Sequence, residues 1–148
     1  MPFDNTIFAN STLVDSIPKN KLEELRISRL KNDMVDARLY FYFPNEKEPK
    51  PTKKGVWIAA THLPKIIEAF EKLKKDESAD FCLELEKSKE TEQLRVYTAE
   101  FRGNKLIHIR TFYLKEGEFQ PGRGVSFTFA MLSGVIEALK KAETIKVS

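Results

Sequence analysis

The sequence predicts an α+β fold in which one run of elements occurs twice, with helices covering one face of a sheet and the other face left open. Three observations carry this. The aromatic-rich run Val35-Asp36-Ala37-Arg38-Leu39-Tyr40-Phe41 is followed by the basic Pro51-Thr52-Lys53-Lys54-Gly55, a short apolar run over residues 56–60 and an amphipathic segment over residues 63–74. Lys105-Leu106-Ile107-His108-Ile109-Arg110-Thr111-Phe112-Tyr113, Gln120-Pro121-Gly122-Arg123-Gly124, Val125-Ser126-Phe127-Thr128-Phe129 and residues 132–141 repeat that order. The spacing agrees as well. Arg38 and Arg110, like Val35 and Ile107, lie 72 positions apart, whereas Gly55 and Gly124, Leu63 and Leu132, Ile67 and Ile136, and Phe70 and Leu139 all lie 69 apart. The copies therefore differ in length within the proline-rich loop, where such changes are tolerated.

Taken in order, residues 1–20 mix Phe3, Ile7, Phe8, Leu13, Val14 and Ile17 with Asn, Ser, Asp and Pro18, which reads as a partly docked arm with one short strand at most. Leu25 and Ile27 then alternate with Arg26 and Ser28, Asn32-Asp33 suits a tight turn, and residues 34–43 form a long β-type run, together a hairpin. Pro44, Pro49 and Pro51 with several lysines make residues 44–54 a loop or a frayed edge strand. Residues 56–60 return to strand. Leu63, Ile66, Ile67, Phe70 and Leu73 form one helical stripe that ends near Lys75, with Pro64 tolerated in the first turn.

After a polar break at residues 76–79, Phe81, Leu83 and Leu85 alternate with Cys82, Glu84 and Glu86, as in a half-buried strand with an acidic outer face. Residues 87–93 read as a charged turn. Leu94 and Val96 alternate with Arg95 and Tyr97, Phe101 follows, and Gly103-Asn104 is the expected two-residue turn into a return strand over residues 105–114. This divides the chain into an arm (1–20), a first repeat (21–75) and a second (76–148).

Composition narrows the function. The chain has 148 residues, 41% of them hydrophobic, with 25 basic against 22 acidic residues and a formal charge of +3. Affinity for nucleic acid must then come from where the charges sit. The single Cys82 makes no internal disulfide, no Cys/His cluster has zinc spacing, and no cofactor is expected. No apolar run approaches the ~20 residues of a membrane span. An intracellular protein with no membrane partner is the expectation: cytoplasm or nucleoid in a prokaryote, nucleus in a eukaryote. His62 and His108 have no Ser, Cys or carboxylate at a catalytic spacing, and Pro121-Gly122-Arg123-Gly124 is too short for a phosphate-binding loop, so the chain does not read as an enzyme.

The open face is the informative surface. Out of phase with the core positions lie Arg95, Tyr97 and Phe101, then His108, Arg110 and Phe112, and in the first copy Arg26, Arg38, Tyr40, Tyr42 and Trp57. Rings interleaved with arginines suit single-stranded nucleic acid: bases stack on rings for ~1–3 kcal/mol each, and the cations neutralise phosphates. DNA and RNA both satisfy that chemistry. The rival reading is a protein-interaction module that buries the aromatic face against a partner or a second copy of the chain, and a homodimer through further sheet or helix packing is left open. Trp57 could equally pack under a loop, and Tyr40 and Tyr42 could cover such an interface.

Phe101-Arg102-Gly103-Asn104 with Leu106-Ile107-His108-Ile109-Arg110, then Glu116-Gly117-Glu118 and Pro121-Gly122-Arg123, resembles the conserved core of the transcriptional coactivator family called positive cofactor four. The resemblance covers about fifty residues of the second copy and only loosely extends to the first. It implies a four-strand sheet followed by a helix, used as a dimer that binds single-stranded DNA with little sequence preference, in transcription, replication or repair. Tandem ββββα repeats would form that dimer inside one chain, an intramolecular pseudo-dimer of curved antiparallel sheets, as in the related Whirly-type proteins. The family's binding positions carry over to Phe101, Arg102, Lys105, Arg110, Tyr113 and Arg123. In the first copy only Arg38, the adjacent aromatics and Lys53 and Lys54 have counterparts, so the expected site is asymmetric. Strict alternation puts Phe112 on the open face, the family pattern favours Tyr113, and a β-bulge near Thr111 would reconcile them.

Overall fold

The computed structural model describes residues 11–145, so the expectations for Phe3, Ile7 and Phe8 lie outside the described residues. Strands β1 (Thr12–Pro18), β2 (Glu23–Leu30), β3 (Met34–Phe41) and β4 (Lys50–Ala59) form one antiparallel sheet in chain order, followed by helix α1 (Leu63–Lys75). Strands β5 (Cys82–Glu86), β6 (Glu92–Phe101), β7 (Asn104–Lys115) and β8 (Glu118–Phe127) form a second sheet of the same order, followed by helix α2 (Leu132–Thr144). The α+β arrangement is the expected one, two four-strand antiparallel sheets each followed by a helix. A 3-10 turn leads into both helices, at Ala60–His62 and Phe129–Met131.

Alternation explains the layering. Leu25 and Ile27, Val35 and Ala37, and Val56 and Ile58 of the first sheet are buried, as are Leu94 and Val96, Ile107 and Ile109, and Val125 and Phe127 of the second. With the stripes of α1 and α2 they form a single apolar core. The helices do not simply lie on their own sheets. Helix α2 packs on β1 and β2 of the first sheet, where Gly134 leaves room for Ile17, to which an added Cβ would come within 3.1 Å, and Lys141 pairs with Asp15 at 3.1 Å. Helix α1 packs on α2, sets Phe70 edge-on to Phe127 of β8 at 5.8 Å, and borders a groove with Phe81 and with Leu83 of β5. Edge strands β4 and β8 lie side by side.

Several local expectations shift. The strand within residues 1–20 is β1, paired along its length with β2. Strand β4 begins at Lys50, inside the proline-rich stretch, and its Pro51 is tolerated because it is an edge strand. Pro121-Gly122-Arg123-Gly124 is no turn: it lies inside the edge strand β8. The turn into β7 is Arg102-Gly103, with φ of 52° and 80°, and not Gly103-Asn104, because Asn104 already pairs with Phe101. Asn32 and Asp33 do adopt positive φ, 64° and 56°.

Candidate nucleic-acid interface

The β6–β7 hairpin builds the centre of the site. Its register sets Arg95 opposite Arg110, Tyr97 opposite His108 and Phe101 opposite Asn104, with no break in alternation. Since Leu94, Val96, Ile107 and Ile109 point into the core, Arg95, Tyr97, Phe101, His108, Arg110 and Phe112 share the opposite face. The rings are ordered on one another. Tyr97 stacks on His108 with centroids 4.9 Å apart and planes 9° apart, and meets Phe112 edge-on at 5.9 Å. The Arg95 guanidinium lies 4.3 Å from the Phe112 centroid and 5.5 Å from that of Phe119, while Arg102 lies 5.2 Å from the exposed Phe101 ring at the hairpin tip.

The arginines of this face donate to neutral groups. Arg95 Nε donates to Gln93 Oε1 at 2.7 Å, and Arg110 Nη1 to the Gly122 carbonyl at 2.7 Å. Neither bond cancels charge, so both cations remain available to an anion. The carboxylates Glu84 and Glu86 stand on the edge strand β5, opposite Arg95 and Gln93, and Glu84 accepts from Gln93 Nε2 at 3.2 Å. Burial, and then the charge of Arg110, push the His108 pKa down, and neither of its buried ring nitrogens has a hydrogen-bond partner among the described residues. His108 is therefore an uncharged ring near neutral pH.

A bulge does lie near Thr111, but its extra residue is on β8, so it does not bring Tyr113 to the face of Arg110. Arg110 pairs with Gly124 and Phe112 with Pro121, so β8 takes one more residue than β7 over this interval. Strand β7 keeps its phase, which leaves Phe112 beside Arg110 and turns Tyr113 to the other face, where it is exposed next to Gly122. Arg123 sits exposed within the bulge. Lys105 is also out of phase with Arg110: its ammonium pairs with Asp80 at 2.9 Å and donates to the carbonyls of Glu77, Ser78 and Ala79. Two positions that the family resemblance singles out thus lie off the face that carries Arg110.

The first sheet repeats the geometry with different chemistry. Arg38 pairs with Gly55 and Tyr40 with Pro51, so a bulge falls at the same place, with Lys53 and Lys54 exposed in it. A Cβ at Gly55 would run into the Arg38 guanidinium, and Gly124 is required because its Cβ would stand 2.5 Å from the Ile109 carbonyl oxygen. Arg38 is buried, donating from Nη2 to Asp36 Oδ1 at 3.0 Å and from Nη1 to the Thr52 carbonyl at 2.8 Å. Asp36 is 0% exposed. Burial raises its pKa against the lowering effects of Arg38 and of the Trp57 indole N–H. Arg26 pairs with Glu24 at 2.6 Å and covers the buried Tyr40 ring at 4.7 Å, and the Tyr42 hydroxyl donates to Glu24. Trp57 remains 42% exposed on this face, opposite Asp36.

Sequence reasoning missed Phe119 and Gln93, which hold Arg95, and Lys87, whose ammonium bridges the Trp57 carbonyl and Thr111 Oγ1 at 3.4 Å each. Gln93 was legible as a polar residue in phase with Arg95, whereas Phe119 was hidden by the bulge. Among the described residues, no group of three or more His, Cys, Asp or Glu is placed to hold a metal ion, and no helix is long and apolar enough to cross a membrane.

Residues 88–138 match the family model described as Transcriptional Coactivator p15 (PC4). The PC4 match begins in the loop before β6, takes in β6, β7 and β8, and ends inside α2. It contains every ring and arginine of the second open face, while β5 and the first sheet lie outside it. No curated protein matches the chain.

Proposed function

We propose that the chain binds single-stranded nucleic acid, DNA in the first place, with little sequence preference, and serves transcription, replication or repair as a binding protein and not as a catalyst. One observation carries the reading. Arg95 and Arg110 sit among Tyr97, Phe112 and Phe101 on one sheet face and are satisfied by neutral acceptors, so cations and stacking surfaces are presented together. The PC4 match over the same strands supports it. Residues 76–148 are the unit that supplies this face. Bases would stack on the exposed rings while Arg110, Arg102 and Arg123 take phosphates.

Arg110→Ala tests the reading. Loss of one charge-assisted contact, about 1.5–3 kcal/mol, corresponds to roughly tenfold weaker binding or more. The loss should be similar across sequences and should lower the salt slope by about 0.7. Fluorescence anisotropy with single-stranded DNA, single-stranded RNA and duplex DNA measures all three. Wild-type affinity and salt slope in the variant would remove the main support.

A further inference from the structure

We propose that the chain is a one-sided binder: single-stranded nucleic acid lies along the β6–β7 hairpin from Arg95 to Phe101, and the corresponding face of the first sheet takes no part. This rests on the binding function proposed above and adds to it the site size and the stoichiometry.

The two faces have parallel geometry and opposite availability. On the first, both arginines are committed to carboxylates of the same face, Arg38 to Asp36 and Arg26 to Glu24. A phosphate could reach Arg38 only by breaking a buried pair, which leaves the carboxylate unpaired and is strongly unfavourable. Tyr40 is itself buried and the half-buried Tyr42 is tied through its hydroxyl to Glu24, so Trp57 is the one well-exposed ring of that face. On the second face no arginine has a carboxylate within ion-pair distance among the described residues, and the hairpin itself is longer. Strands β2 and β3 have 8 residues each, whereas β6 has 10 and β7 has 12. Phe101 and Arg102 stand on that extension, and the first sheet has no equivalent of them.

Charge also sets the path. Glu84 and Glu86 line the β5 edge, so a phosphate backbone is repelled from that side and drawn toward Arg110 and the exposed Arg123 of β8. From Arg95 to Phe101 the strand covers about 20 Å at ~3.3 Å per residue. At the ~3.4 Å spacing of stacked nucleotides this accommodates about six.

The chain's one tryptophan, Trp57, reports on the first face without any label. Oligothymidylates of about 4 to about 16 nucleotides, the range that single folds of comparable size cover, are titrated into the full chain. Binding is read by anisotropy of labelled strands and, in parallel, by Trp57 emission with unlabelled ones. Affinity is expected to rise with length up to about six nucleotides and then level off, with one strand per chain and Trp57 emission unchanged at saturation. Quenching of Trp57 along the binding isotherm, or affinity that keeps climbing steeply toward twice that length, overturns the one-sided site while leaving the binding function intact. No anisotropy change at any length removes the binding function itself, and the one-sided site with it.

Discussion

At the level of single residues, the two open faces show how the same strand pattern can either present a charge or bury it. Arg110 and Arg38 hold matching positions opposite a glycine, yet Arg110 donates to a carbonyl while Arg38 closes on Asp36. Replacing Asp36 with Ala leaves a buried guanidinium without its counter-ion and is expected to cost about 3–5 kcal/mol in urea unfolding. Replacing both Asp36 and Arg38 with apolar residues of similar size should cost far less. His108 gives a pH signature. Its folded pKa lies below the ordinary value of about 6.5, first through burial and then through Arg110. Between the two values the unfolded chain takes up a proton that the folded chain does not, so stability falls as pH drops below about 6.5 and is unaffected by this group above it. In His108→Gln the urea midpoint should fall less between about pH 7 and about pH 5 than in the wild type. An identical pH dependence in both proteins would show that His108 is not the group responsible.

At the level of elements, what was readable followed what is local. The stripes of α1 and α2 and the alternation of β2, β3, β6 and β7 are each set within a few residues, and the sequence placed them correctly. The second open face was legible for the same reason, since Arg95, Tyr97, His108, Arg110 and Phe112 follow from strand phase alone. The edge strands were not. Pro121-Gly122-Arg123-Gly124 carries every local sign of a turn, and only its pairing with β7 makes it a bulged strand. Lys105 and Tyr113, which the family resemblance singles out, lie off the face of Arg110, because a family pattern transfers positions without fixing the side to which strand phase turns them. The bulge can be tested directly. A methyl group at Gly124 meets the backbone carbonyl of Ile109 and the Cα of Arg110, so Gly124→Ala is expected to destabilise the fold by about 1–3 kcal/mol. Gly103 has nothing within 4 Å of an added Cβ and is strained only by its φ of 80°, so Gly103→Asn should be tolerated. Equal urea midpoints for wild type and Gly124→Ala would show that the close approach is easily relieved.

At the level of the whole molecule, the helices bind the two sheets into one body. A hydrophobic stripe says that a helix packs but not on which sheet, and the placement of α2 on β1 and β2 could not be read from it. Because α2 covers the first sheet and Phe70 of α1 meets Phe127 of the second, the sheets share one core and should unfold together. Trp57 emission, which senses the first sheet, and far-UV circular dichroism, which senses both, are expected to give coincident urea transitions. Separated midpoints would mean that the sheets are independent. This rigid frame holds a locked face and an available face side by side, and the central claim is that the available face binds single-stranded nucleic acid. The most direct measurement is an anisotropy titration of the full chain with single-stranded and duplex oligonucleotides over a salt series. A clear single-strand preference is expected, with log affinity falling linearly in log salt at a slope of about −2 for three phosphate contacts. Equal affinity for single strand and duplex, or binding that ignores salt, would contradict it.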